Sequence, residues 1–163
     1  MKKLILVRHA KSSWNDITQA DFDRPLNERG HKDAPRMAKR LRKNDIEPDV
    51  FISSPAVRAL TTAKYFAEEF GVKDRKIIEN ADLYHASTEV FYESVDNIDD
   101  SNKTAIIFSH NPTITEFANK LTSTRIDDMP TCAMFAVKAD IKSWKDFRTA
   151  EKEFWFFDWP KNE

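Results

Sequence analysis

Glycine is nearly absent, the 163-residue chain holding only Gly30 and Gly71. A Walker loop or a dinucleotide fingerprint needs several glycines so that backbone N–H groups can close on phosphates, so both are excluded. Any phosphate bound here must be held by side chains and helix ends. Cysteine is as scarce, and the single Cys132 rules out an internal disulfide and suits a reducing cytosol. A cysteine phosphatase loop needs an arginine soon after its nucleophile, but Ala133-Met134-Phe135-Ala136-Val137-Lys138 follows. Cys132 therefore reads as a small apolar residue in a buried strand.

Charge of one sign is missing too. Lys and Arg total 26 against 27 Asp and Glu, a net charge of -1, so no global positive field marks a nucleic-acid binder. Any recognition of an anion must come from local arginines. Long apolar runs are absent: Leu4-Ile5-Leu6-Val7 after Met1-Lys2-Lys3 imitates a signal peptide but stops at Arg8, and no stretch approaches a membrane span. The expectation is a soluble, cytoplasmic protein with no membrane association. The length predicts a single domain over residues 1–163, able to bury about two thirds of its unfolded surface.

What is present is an alternation of apolar runs and helical periods. Leu4 to Val7 predicts a buried parallel strand that delivers Arg8 and His9 at its carboxyl end, where open α/β sheets build their sites. Lys11 to Phe22 has no period and predicts a polar loop, continued by Asp23-Arg24-Pro25-Leu26. Asn27 caps a helix with Ala34, Met37, Ala38 and Leu41 at i, i+3, i+4 and i+7, although Pro35 inside the pattern blurs its start. Asp49 to Ser53 is a second strand, after which Ser54-Pro55 predicts a capped helix start with Arg58 in the first turn, and Gly71 ends that helix. A cation there opposes the helix dipole by about 0.3 to 1 kcal/mol, and a bound phosphate would explain its position.

Lys76 to Asn80 predicts a weak third strand, Ser87 caps a helix burying Val90, Phe91, Val95 and Ile98, and Asp96 to Asn102 is a charged turn. Thr104 to Ser109 is a buried strand ending in His110. Asn111-Pro112 then predicts a helix cap and start, with Ile114, Phe117, Ala118 and Leu121 turned inward. Thr131 to Val137 and Glu153 to Trp159 read as closing strands rich in aromatics. The fold class is α/β, a three-layer α/β/α sandwich around a mostly parallel sheet.

Two strand-end histidines, His9 and His110, thus come with two arginines, Arg8 and Arg58. A metal site usually recruits a carboxylate or thiol, and two guanidinium groups repel a divalent cation, so the expectation is no metal and no cofactor. The four side chains suit a phosphoryl group, with one neutral imidazole attacking phosphorus in line and the guanidiniums neutralising the equatorial oxygens.

The chain resembles the histidine phosphatase superfamily, the phosphoglycerate mutase-like fold, and especially its small SixA-like phosphohistidine phosphatases. The resemblance rests on Arg8-His9-Ala10-Lys11-Ser12-Ser13-Trp14-Asn15, Asp23-Arg24-Pro25-Leu26-Asn27-Glu28-Arg29-Gly30, Ser54-Pro55-Ala56-Val57-Arg58-Ala59 and Ser109-His110-Asn111-Pro112, in the family's order. It implies that His9 is the nucleophile, becoming a transient phosphohistidine, and that Arg8, Arg58 and His110 complete a phosphate pocket. It also implies a phosphate contact for Asn15, and for Arg24 either a phosphate contact or a brace for the pocket; their plainer readings are a loop cap and a surface ion pair.

Two departures stand out. Ala10 replaces the glycine that many relatives carry after the catalytic histidine, so no glycine-only backbone angle is needed there. The acidic proton donor of phosphomonoester-cleaving relatives has Asp82, in Asn80-Ala81-Asp82-Leu83-Tyr84-His85, as its nearest candidate, beside the reading of a solvated loop carboxylate. Short spacers leave little room for an inserted lid. The implied substrate is a phosphorylated protein, above all phosphohistidine, or a small phosphorylated molecule. The alternatives are a broad phosphomonoesterase, a phosphoglycerate mutase-like enzyme, and a non-catalytic phosphate-binding module.

Overall fold

The computed structural model describes residues 1–162. Six strands form one sheet in the order β3-β2-β4-β1-β5-β6, with β1 Lys2–Arg8, β2 Val50–Ser53, β3 Ile78–Glu79, β4 Thr104–Ser109, β5 Met134–Ala139 and β6 Lys152–Asp158. β1 to β4 pair in parallel, while β5 runs antiparallel to both β1 and β6. The sheet is therefore mixed, with β5 alone reversed in direction. Four helices cover it: α1 Glu28–Lys43, α2 Val57–Glu69, α3 Thr88–Asp96 and α4 Thr113–Leu121.

The central strands carry apolar side chains on both faces because helices cover both faces. Leu4, Leu6, Ala105 and Ile107 join the core under α3 and α4, which includes Phe91, Phe117 and Trp144. Ile5, Val7, Ile106 and Phe108 point the other way, into a core with Met37 and Leu41 of α1 and Phe66 of α2. This alternation is the period of two that places successive residues on opposite faces of a strand. None of the helices is long and apolar enough to cross a membrane, among the described residues.

Local signals and structure agree at several boundaries. The Asn27 side chain accepts the Gly30 N–H at 2.9 Å, and α1 runs unbroken through Pro35. A Cβ on Gly30 would meet the Lys11 carbonyl at 2.2 Å, so the glycine lets the loop after β1 lie directly against the first turn of α1. Ser87 caps α3 through the Val90 N–H. The loop from Lys11 is irregular as read, apart from a 3-10 turn at Asp21–Asp23 and a bridge between Ser12 and Leu26.

Other boundaries differ, each for a tertiary reason. Helix α2 starts at Val57, not at Pro55, and Ser54 is not its cap. The Ser54 hydroxyl is instead shared between the Ala56 N–H and the His110 ring. Asn111 does not cap α4 either; it donates to Asp128 and to the Met129 carbonyl, and accepts from the Thr115 hydroxyl. The third strand shrinks to Ile78–Glu79, preceded by a 3-10 turn at Asp74–Lys76. Cys132 is buried as expected but lies in the turn before β5 with φ of 61°, its N–H donating to the carbonyls of Arg8 and His9.

Candidate functional site

Strands β1 and β4 are neighbours in register, Arg8 opposite Ser109, so the residues that follow leave the sheet at one level. The His9 N–H donates to the Ser109 carbonyl, and the His9 and His110 rings stand 5.2 Å apart at 53°. Strand β2, next to β4, ends at the same edge and brings Ser54 to 2.8 Å from His110 Nε2. The first turn of α2 then places Arg58, buried to 6% exposure. The structure thus brings Arg8, His9, Arg58 and His110 to one edge of the sheet.

The state of His9 follows from its hydrogen bond. Nδ1 lies 2.8 Å from the Ala10 carbonyl, which can only accept, so Nδ1 carries the proton and Nε2 the lone pair. Burial, opposed by that bond and reinforced by His110, Arg58 and Arg8, holds the imidazole down at about 3, so the ring is neutral at physiological pH. Ala10 is in turn fixed by Thr62: its N–H donates to the Thr62 hydroxyl at 3.0 Å, which donates to the Arg58 carbonyl at 2.7 Å. One chain of bonds therefore runs from α2 to the His9 ring.

His110 is held less rigidly. Its Nε2 meets a hydroxyl, which can donate or accept, and its Nδ1 is buried with no partner. Burial first, then Arg58, His85 and Arg8, pushes it down to about 3 against the opposing charge of Asp21. The arginines are anchored at their tips. Arg8 Nη1 donates to the Met129 carbonyl at 2.9 Å and lies 3.9 Å from Asp128. Arg58 Nη1 donates to the Asp21 carbonyl at 2.7 Å and Nη2 to the Asp21 carboxylate at 3.0 Å.

Asp21, absent from the sequence reading, is the hub of this edge. Its carboxylate also accepts from Arg24 Nε at 3.1 Å and from the Tyr84 hydroxyl at 2.6 Å. The Tyr84 bond and the two guanidiniums hold the carboxyl well below the ordinary range, while burial and Asp21 push the Tyr84 phenol up. Arg24 is buried, bonded to Ser12 and Ser13, and stacked on Trp14 at 3.6 Å, so it braces the loop that carries Asp21. The pattern Asp21-x-x-Arg24 was the available signal, but which arginine a carboxylate meets depends on the path of the loop.

Two expected residues stand apart. Asn15 is exposed and borders a separate concavity with Asn27, Arg29 and Arg36. Asp82 is exposed in a 3-10 turn, Ala81–Leu83, and faces a concavity lined by Asn80, Glu93 and Asn97. Beside His110 lies a cavity of about 300 Å³ bordered by Arg58, Tyr84, His85, Ser109, His110 and Asn111. Among the described residues no three His, Cys, Asp or Glu side chains group as metal ligands. Only three buried side-chain N or O atoms lack a partner among the described residues, Arg8 Nε, Arg58 Nε and His110 Nδ1, and all three belong to this cluster.

Strand-end histidines flanked by two arginines on this sheet define the class. Residues 4–85 match the Histidine phosphatase superfamily (branch 1), and the chain belongs to that superfamily. Over 84 residues it is 43% identical to phosphoserine phosphatase 1 of Hydrogenobacter thermophilus, covering 48% of this chain and 39% of that protein. Over 84 residues it is 32% identical to the 2,3-bisphosphoglycerate-dependent phosphoglycerate mutase of Bartonella tribocorum, 50% of this chain and 41% of that one. The chain spans about two fifths of the length of these curated relatives. Its fold matches that of the protein histidine phosphatase SixA complexed with tungstate, with a TM-score of 0.81, 18% identity and 98% of each chain covered.

Proposed function

We propose that the protein is a phosphatase that hydrolyses phosphohistidine, or another phosphorylated substrate, through a covalent phospho-His9 intermediate. The observation that carries the reading is the convergence of the three unpartnered buried nitrogens of Arg8, Arg58 and His110 around a neutral imidazole. A buried polar atom left unpaired costs about 1 to 3 kcal/mol, and a phosphoryl group supplies acceptors for all three. Guanidinium Nε–H groups donate to its equatorial oxygens, His9 Nε2 attacks phosphorus, and His110 donates from Nδ1 to a phosphoryl oxygen. Water then cleaves the phosphohistidine and releases inorganic phosphate. No metal is required, because the two guanidiniums supply the positive charge that a cation would bring.

A protein substrate is favoured by the open edge. The connection from β3 to α3 holds little more than the Ala81–Leu83 turn, and no inserted lid covers the cluster within the described residues. The domain is proposed to be the single unit 1–163. The mutase reading draws on the Bartonella relative and predicts transfer between substrate carbons without phosphate release. The deciding experiment measures phosphate release from a phosphohistidine-bearing protein and from phenyl phosphate, for wild type and His9→Ala. Release that depends on His9 supports the proposal; turnover that survives in His9→Ala, or tight phosphopeptide binding with no turnover by wild type, overturns it.

A further inference from the structure

The phosphate cluster leaves one chemical need unmet. When His9 Nε2 bonds to phosphorus, the departing atom gains an electron pair and needs a proton unless it is a very weak base. Few groups around the cavity can supply one near neutral pH. His9 and His110 are held neutral by burial. Asp21 is held ionised by Tyr84, Arg58 and Arg24, Tyr84 is pushed up and commits its proton to Asp21, and a guanidinium keeps its protons. Asp82 faces another concavity.

His85 is the remaining titratable group that borders the cavity. It is exposed, its ring lies 4.0 Å from that of Tyr84, and Tyr84 packs in turn on His110 at 5.5 Å. Its backbone is in the left-handed region, φ 59°, a conformation that L residues other than glycine adopt infrequently and that clusters at functional sites. The segment is pinned on both sides. The buried Ser109 hydroxyl donates to the Leu83 carbonyl at 2.9 Å, and the Thr113 hydroxyl donates to the Ala86 carbonyl at 2.8 Å. Both donors flank His110 in the chain, so the backbone that carries the imidazole is held beside the phosphate cluster, and the ring itself rests on Tyr84.

We propose that His85 is the general acid of this site, its imidazolium protonating the atom that leaves phosphorus. This rests on the phosphatase reading above. In the first step the bond from His9 Nε2 to phosphorus forms, the bond from phosphorus to the leaving group breaks, and the His85 proton moves to the leaving group. In the second, water adds to phosphorus, its proton returns to His85, and the His9 bond breaks to release phosphate. Imidazole is a side chain that changes charge between pH 5 and 8, which suits a donor in the first step and an acceptor in the second. The charged and titratable groups around it are Arg58, Tyr84 and His110 along the cavity, with Asp21 behind Tyr84.

The test compares kcat/KM on phenyl phosphate, whose phenolate is a strong base, with p-nitrophenyl phosphate, whose leaving group needs little help. The variants are His85→Asn, which tolerates a left-handed backbone, and His85→Gly, with inhibition by inorganic phosphate reporting an intact pocket. The proposal expects about a 100-fold loss on phenyl phosphate and less than about threefold on p-nitrophenyl phosphate. Equal losses on the two substrates, no loss on either, or wild-type protein inert to both overturns it. A phosphohistidine phosphatase activity dependent on His9 would survive that failure, so the two proposals fall separately.

Discussion

His9 and His110 follow matching apolar strands, stand side by side at one edge and are both kept neutral by burial, yet they are held in different ways. His9 points Nδ1 at a backbone carbonyl, which permits one tautomer and leaves Nε2 as a permanent lone pair. His110 points Nε2 at the Ser54 hydroxyl, which can rotate, and leaves Nδ1 free of any partner. A carbonyl fixes the tautomer of one ring; a hydroxyl lets its neighbour keep or exchange a proton. The same motif, an apolar strand followed by histidine, thus yields two different ring environments, and with them two proposed roles, because the partner on the far side of the ring differs.

The largest expected effect comes from deleting the fixed member. His9→Gln should reduce phosphate release on the order of 10⁴-fold or more and abolish any acid-labile phosphoprotein trapped on rapid denaturation. His110→Gln should cost about 10²- to 10³-fold, the worth of a preorganised donor, while the trapped phosphoprotein still forms. If the two losses match and neither variant traps phosphate, the assigned difference in role is wrong.

Thr62→Val should act only on the fixed side. It removes the acceptor for the Ala10 N–H and the donor to Arg58, tilting the carbonyl that orients His9. We expect kcat to fall about 10- to 100-fold with KM little changed, and Thr62→Ser to restore most of it. Rescue by serine is the check, because a packing role would not need the hydroxyl.

Shared burial gives a prediction in pH. Unfolded, both imidazoles take up protons as pH falls below the ordinary 6.5; folded, they resist until about 3. The unfolded chain therefore binds more protons in this window, and stability falls with falling pH by up to about 1.4 kcal/mol per unit for each histidine. The depressed Asp21 carboxyl adds to the loss in the same direction below its ordinary 3.8. Urea midpoints measured from pH 7 to 4 should fall less steeply in the His9→Gln, His110→Gln double variant. The smallest effect is expected from Asp82→Asn, less than about twofold on any substrate, since its side chain faces a different concavity; a larger loss in initial-rate assays would return it to the site.

Much of this arrangement is legible in the sequence because it is local. An apolar run of strand length ending in histidine, and an arginine one turn into a helix, place His9, His110 and Arg58 without knowledge of distant contacts. The core faces follow from the same periods, as the alternation of Leu4 and Leu6 against Ile5 and Val7 illustrates. What resists is whatever depends on a partner far along the chain. Ser54-Pro55 has the local form of a helix start, but His110 claims the serine, and Asn111 turns from a cap to the Asp128–Met129 loop. Asp21 looked like one acid in a polar loop, and its four hydrogen bonds reach Arg24, Arg58 and Tyr84, the last of these 63 residues away. Asn15 and Asp82 carried no local signal for the direction their loops take.

The reversed strand has a consequence in time. Because β5 runs against β1, its beginning lies beside the end of β1, where the Ala133 carbonyl accepts the Arg8 N–H and Cys132 donates back to Arg8 and His9. The Met129 carbonyl, just before it, seats the Arg8 guanidinium. Residues 8 and 9 leave the ribosome well before the wall that orients them, which follows some 120 positions later, on the order of 6 to 24 s at 5 to 20 residues per second. A nascent chain carries the proposed nucleophile long before it has a pocket, and the site is assembled only as the segment around β5 docks.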